Sequence, residues 1–320
     1  MAVKSPLCPS QSTVADPLSI PISKRLDSGG YYAHLTGLYR WYGSEPQGWH
    51  YGVWDPGIRS QRDALQRTNE LMVQGLELRA HSHILDVGCG SGGFAAWVAQ
   101  SFGCSVTGIT NVPSHVRLAQ EAARAAGVAD RCRFLSMDMN AFGFERGQFD
   151  AILNEETFCY ARDKPNYLVS LLPLLRPGGS WRAFAFGIRP GSRSTGEERS
   201  YREVMDGFHI PNLLPSEAVQ AALELAGFAD IGAEDLTSRV LPTAARIILF
   251  SYPPRLLSRL RLEAILYARD PVTRRFQRGH VAACLAYSRG LQKGLFRHYL
   301  YSGRKTESDL SRLPRAGPQA

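Results

Sequence analysis

Asp86 stands two residues before the first glycine of the run Ile84-Leu85-Asp86-Val87-Gly88-Cys89-Gly90-Ser91-Gly92-Gly93. An apolar strand that ends in a carboxylate, breaks into a glycine turn and enters a helix builds a nucleotide-shaped pocket. Two cofactors compete for it. The spacing Gly88-x-Gly90-x-x-Gly93 satisfies the dinucleotide pattern, a weak signal on its own. That pattern also needs an acidic residue at the end of the next strand, roughly 20 residues on. The next strand reads as Ser105–Ile109, and Thr110-Asn111-Val112-Pro113 after it holds no acid. A carboxylate at position 86 suits a cation better than a pyrophosphate. S-adenosylmethionine carries an ammonium and a sulfonium and no phosphate. An ordinary strand, turn and helix without a ligand is the remaining alternative.

These residues need a frame. Strand candidates are His83–Val87, Ser105–Ile109, Arg133–Ser136, Phe149–Asn154 and Ser180–Phe186. Helix candidates between them are Phe94–Ser101, Ser114–Ala126 and Lys164–Leu175, and Gln61–Leu78 precedes them. Such alternation predicts an α/β fold with a parallel sheet covered on both faces. Gly187 to Pro215 reads as a polar connection, Ser216–Ala226 as a helix, Ile231–Leu236 and Phe296–Ser302 as strands. The segment Thr237–Leu295 between those last strands is too long for a structureless loop. It predicts a helical cap over the active site. The expected organisation is a flexible leader (1–25), an N-terminal lid and helix (26–80) and a cofactor-binding core (81–238). The cap insertion (239–295), the last core strand (296–304) and a flexible tail (305–320) complete it.

Composition narrows the function classes. The chain has 320 residues, 44% hydrophobic and 21% charged, as in a globular protein. No apolar run approaches the ~20 residues of a membrane span. The first residues, rich in Ser and Pro, lack the apolar block of a signal peptide. None of the six cysteines forms a CxxC pair, so no metal site is expected, and a reducing cytoplasm is. The formal charge is +8, and Pro254–Arg278 alone holds seven arginines. That block suits an anionic substrate, peripheral contact with a membrane surface, another chain, or simply a solvated helix face. A nucleic-acid substrate is disfavoured: no Asn/Asp-Pro-Pro-Tyr/Phe motif follows the fourth strand.

Asp-Val-Gly-Cys-Gly-Ser-Gly-Gly at 86–93 resembles the first motif of class I S-adenosylmethionine-dependent methyltransferases. Gly108-Ile109-Thr110, Asp138-Met139, Phe149–Asn154 and Leu175-Arg176-Pro177-Gly178-Gly179 agree with that family in order and spacing. The resemblance implies a seven-stranded Rossmann-like sheet. It puts Asp86, Gly88 and Gly90 against the methionine end, Thr110 and Asn111 at the ribose, and Asp138 and Met139 at the adenine. Asn154 and His115 join the same cofactor set, His115 standing where the family usually carries Gln.

Within the family the chain is most similar to the sterol, tocopherol and prenyl-diphosphate C-methyltransferase group. His50-x-Gly52-x-Trp54 is like that group's His-x-Gly-Tyr-Trp signature, and Tyr31 and Tyr32 sit where it carries an aromatic lid over the cofactor. In Asn154-Glu155-Glu156-Thr157-Phe158-Cys159-Tyr160, Glu156 falls on the group's shared Glu and Tyr160 matches its prenyl-diphosphate form. The resemblance implies methylation of an alkene, which leaves a carbocation. Aromatic faces stabilise a cation, and a carboxylate then removes a proton. Glu156 would be that base, with Tyr160 and His50 as further catalytic candidates. The same carboxylate could hold an amine or deprotonate a hydroxyl, as in an N- or O-methyltransferase, or simply bond the lid backbone. The expected partner is a small apolar substrate, diphosphate-bearing or lipid-like.

Overall fold

The computed structural model describes residues 28–42, 50–259 and 270–306. The sequence-derived leader, Trp49, residues 260–269 of the basic block and all but the first residues of the tail lie outside them.

The core begins with β1 (His83–Val87), whose last four residues are buried. It runs through α3 (Gly93–Phe102), β2 (Ser105–Thr110), α4 (Pro113–Ala125), β3 (Cys132–Ser136), β4 (Phe149–Glu155) and α5 (Lys164–Leu171). It closes with β5 (Leu175–Ile188), α7 (Ser216–Ala226), β6 (Ala229–Asp235) and β7 (Phe296–Arg304). The result is one seven-stranded sheet in the order β3-β2-β1-β4-β5-β7-β6. β1 to β5 pair in parallel. β7 lies antiparallel between β5 and β6, so the sheet is mixed and not wholly parallel as expected. Period-2 alternation divides β1 between two cores: Ile84 packs into one, Leu85 and Val87 into the other. Asp86 therefore points to the Ile84 side of the sheet.

Five helices lie outside the alternating pattern. α1 (Ser28–Tyr42) occupies the aromatic segment read as an irregular lid. It packs Tyr31, Leu35 and Leu38 against Val281 of α9 (Pro271–Gln292). α2 (Gln61–Val73) is capped by Ser60, which accepts from the Asp63 amide. α8 (Thr237–Arg259) and α9 form the cap expected between the last two strands. The fifth, α6 (Thr195–Phe208), fills the stretch read as a polar connection. A reciprocal capping box between Ser194 and Glu197 starts it. Its Gly207 lies so close to α9 that an added Cβ would come within 2.5 Å of the Gly279 carbonyl oxygen. Among the described residues no helix is long and apolar enough to cross a membrane.

Candidate active site

The carboxyl ends of β1, β2 and β4 open into a cavity of about 250 Å³, roofed by α1, α6, α8 and α9. Its floor is the glycine turn. Gly88 and Cys89 amides donate to the Ile109 carbonyl at 2.8 and 2.9 Å, which moors the turn to β2. Gly88 has φ +84°, and a Cβ there would collide with the Thr157 methyl. At Gly90 an added Cβ would meet nothing within 4 Å, so the turn presents bare backbone to the cavity.

Asp86 is 2% exposed, and its Oδ2 has no hydrogen-bond partner. Burial, then the charge of Glu155, holds its carboxyl well above the ordinary range. A buried carboxylate oxygen without a partner costs stability unless a donor meets it. An ammonium supplies that donor, so the residues present fit S-adenosylmethionine. Thr110, Asn111, His115 and Met139 also line this end of the cavity, joined by Met137. His115 contacts the Thr36 hydroxyl on α1 at 3.2 Å, and burial pushes its imidazole down to about 4.

Asp138, Asn154 and Tyr31 are not on the wall. Asp138 accepts from the Asn140 amide at 2.9 Å and pairs with Arg162 at 3.0 Å, shaping the turn that presents Met139. Asn154 is fully buried: it accepts from Tyr167 Oη and Trp181 Nε1 and donates to Thr157 Oγ1. Thr157 in turn donates to the Val87 carbonyl, so Asn154 props the glycine turn from behind. Tyr31 is buried beneath Tyr32 with its hydroxyl on His280.

β4 delivers two consecutive carboxylates. Neighbours on a strand normally point to opposite faces, yet Glu155 and Glu156 both line the cavity. The left-handed backbone at Glu156, φ 52°, breaks the alternation. Such a conformation is uncommon for a residue other than glycine. The Glu156 amide donates to the Phe184 carbonyl at 2.7 Å, which fixes the kink to β5. Burial, then Glu156, pushes the Glu155 carboxyl well up. His50 lies on the wall with Nε2 3.5 Å from Glu155 Oε1, while its Nδ1 donates to the Tyr51 carbonyl at 3.0 Å. Glu156 Oε1 accepts from the Tyr51 amide at 2.8 Å, so the expected bond to lid backbone is present, and the carboxylate still borders the cavity.

The loop after Glu156 is braced from below. The Lys164 ammonium, 2% exposed, donates to the Cys159, Ala161 and Asn212 carbonyls and to the Asn212 side chain. Burial pushes it down to about 8. Tyr160 reaches the wall with its hydroxyl proton on the Phe208 carbonyl, and it accepts from Tyr32 Oη at 2.8 Å. Tyr32, Tyr51, Tyr160, Phe186, Phe208 and Phe250 give the cavity its aromatic character. Phe186, Phe208 and Phe250, with His280, Cys284 and Arg246, were not among the expected site residues. Phe208 alone carried a local signal. Tyr201, Val204, Met205 and Phe208 follow helical spacing behind the Ser194–Glu197 box. Among the described residues no three His, Cys, Asp or Glu side chains group as a metal site.

The chain is similar to known proteins in sequence and in fold. A family model described as a methyltransferase domain matches residues 84–179. Cycloartenol-C-24-methyltransferase of Arabidopsis thaliana is 27% identical over 210 residues, 64% of this chain and 61% of that enzyme. The chain thus spans about three fifths of that relative's length. The S-adenosyl-L-methionine-dependent Diels-Alderase iccD of Talaromyces variabilis is 26% identical over 222 residues, 66% of this chain and 76% of that protein. The crystal structure of the [4+2]-cyclase SpnF superimposes with a TM-score of 0.69 at 23% identity, covering 87% of this chain and 94% of that one. Residues 84–179 match a methyltransferase domain, and the seven-stranded sheet that carries them has the Rossmann-like fold of that solved structure.

Proposed function

We propose that the protein transfers the methyl group of S-adenosylmethionine to a carbon of an apolar, alkene-bearing acceptor of terpenoid or prenyl type. One observation carries the reading. Asp86, Glu155 and Glu156 line one cavity together with the aromatic side chains Tyr32, Tyr51, Tyr160, Phe186, Phe208 and Phe250. When bound, S-adenosylmethionine supplies an electrophilic methyl group. Asp86 would hold its ammonium, the bare backbone at Gly88 and Gly90 would admit it closely, and Met137 and Met139 would flank its adenine. α1 and the cap exclude water and align the acceptor, the main demand of an in-line displacement. Aromatic rings and carboxylates stabilise positive charge left on the methylated alkene. Glu156 then takes the proton that regenerates a double bond.

The wall also bears on the acceptor's charge. Arg246, exposed and stacked 4.7 Å over Phe250, is the one Lys or Arg on the described wall. Three carboxylates against one guanidinium favour an uncharged acceptor, or one with a single anionic end, over a diphosphate.

A second reading rests on the Talaromyces relative: the cofactor is held and not consumed, and the cavity folds an acceptor for cyclisation. Methyl-labelled S-adenosylmethionine, offered with terpenoid alkenes, phenols and secondary amines, separates the two. Label on carbon, reduced at least tenfold in Glu156→Gln, is the expected result. Label only on nitrogen or oxygen would end the carbocation mechanism. Cofactor binding without label transfer to any acceptor would favour the second reading.

A further inference from the structure

We propose that His298 is a positioning residue that keeps Glu156 aimed at the cavity by presenting an Nε2 proton to its Oε1. The inference rests on Glu156 being the base, and its test is independent of any acceptor. His298 lies on β7 opposite Phe186 of β5, fully buried and off the cavity wall. Its ring is clamped by Phe184 at 4.1 Å, Phe186 at 5.2 Å and Tyr51 at 5.4 Å. Its backbone is pinned by Thr237 Oγ1, which accepts from its amide at 3.0 Å.

A count of protons identifies the tautomer. Tyr287 has one hydroxyl proton and donates it to the Arg297 carbonyl at 3.0 Å. Tyr287 Oη, 3.2 Å from His298 Nδ1, is therefore the acceptor in that contact, and Nδ1 bears hydrogen. A neutral imidazole then presents a bare lone pair at Nε2. That atom lies 3.3 Å from Glu156 Oε1 and has no completed hydrogen bond to any group. Two buried acceptors facing each other repel, and one proton on Nε2 converts the repulsion into an ion pair. The titratable groups around the ring are Glu156 just after β4, Tyr51 before α2 and Tyr287 on α9. On β7 itself, Arg297 leans to Asp235 at 3.8 Å. Glu156 is the one carboxylate in contact with the ring.

Oε1 takes the Tyr51 amide and lies 3.3 Å from His298 Nε2, so the proposed proton would occupy that same oxygen and leave Oε2 for the acceptor. In the deprotonation step the acceptor's C–H bond breaks, its electron pair forms the double bond, and the proton goes to Oε2. The His298 proton does not move.

The test is nitrogen NMR of ¹⁵N-histidine-labelled protein at pH 7, in wild type and in Glu156→Gln. His298 is assigned by its loss in His298→Gln or, should that variant not fold, through bonds from its backbone amide. In wild type both ring nitrogens should carry hydrogen. In Glu156→Gln the Nε2 hydrogen should be lost and the neutral Nδ1–H form remain. Equal protonation of Nε2 in both proteins, or an Nε2–H neutral form in wild type, would overturn the proposal. Absence of methyl transfer to any acceptor would count against the proposed function and leave the NMR result standing.

Discussion

Replacing Asp86 with Asn tests the fit of the cofactor at the atom where the structure is least satisfied. The substitution keeps shape and volume and removes one negative charge from a residue 2% exposed. A hydrogen bond to a charged group contributes about 1.5–3 kcal/mol. At about 1.4 kcal/mol per factor of ten, affinity for S-adenosylmethionine should fall by roughly one to two orders of magnitude. A second consequence concerns protons. Burial and Glu155 hold the Asp86 carboxyl above its ordinary value, so the folded, empty protein binds that proton more tightly than the unfolded chain. The resulting stability is complete below the unfolded carboxylate range and is lost as pH rises towards the folded value. A bound cation favours the ionised form, so binding should release protons and tighten with pH across that window. Calorimetry in two buffers of different ionisation heat measures both effects. Wild type should release protons and Asp86→Asn fewer. The variant's empty form should melt no lower than wild type at pH 7, since a costly buried carboxyl is gone. Affinity within threefold of wild type, with the same proton release, would refute the reasoning.

Three further outcomes follow from single contacts. Gly88→Ala forces a side chain into a left-handed backbone and onto the Thr157 methyl, so it should abolish cofactor binding and cost about 1–3 kcal/mol, read by chemical denaturation. Tyr160→Phe should lower turnover less than tenfold, because the hydroxyl proton is already committed to the Phe208 carbonyl; a hundredfold loss would restore Tyr160 as an acid or base. Lys164, pushed down to about 8, gives up its proton more readily in the folded protein than in the unfolded chain. The unfolded chain takes that proton first as pH falls, so this group should make stability rise between about pH 8 and the ordinary lysine value, and Lys164→Met should remove the rise.

The site was legible where chemistry is local. The glycine turn, Asp86, Thr110, Asn111, Met139 and the Glu155-Glu156 pair are runs of neighbours, and neighbours on a strand end stay together when the sheet forms. Asn154 and Asp138 show the limit of reading by motif. They occupy the expected strand ends, but tertiary partners engage their side chains: Tyr167, Trp181 and Thr157 in one case, Arg162 and Asn140 in the other. Helix α6 carried a capping box and an apolar period, and the glycines and arginines around it made the stretch read as loop. The antiparallel β7 had no local signature. Its direction follows from the α8–α9 excursion that returns the chain between β5 and β6. With it comes His298, which contacts Glu156 only because the fold brings β7 alongside β5, next to the end of β4.

The central claim is that a methyl group reaches carbon and that Glu156 removes the proton afterwards. The most direct measurement uses [¹³C-methyl]-S-adenosylmethionine with a deuterated alkene acceptor, followed by NMR of the product in wild type and Glu156→Gln. The account predicts a ¹³C–C bond, loss of one deuterium per methyl gained, and a drop of at least tenfold in the variant. A product labelled only at a heteroatom, or formed at the wild-type rate by Glu156→Gln, would contradict it.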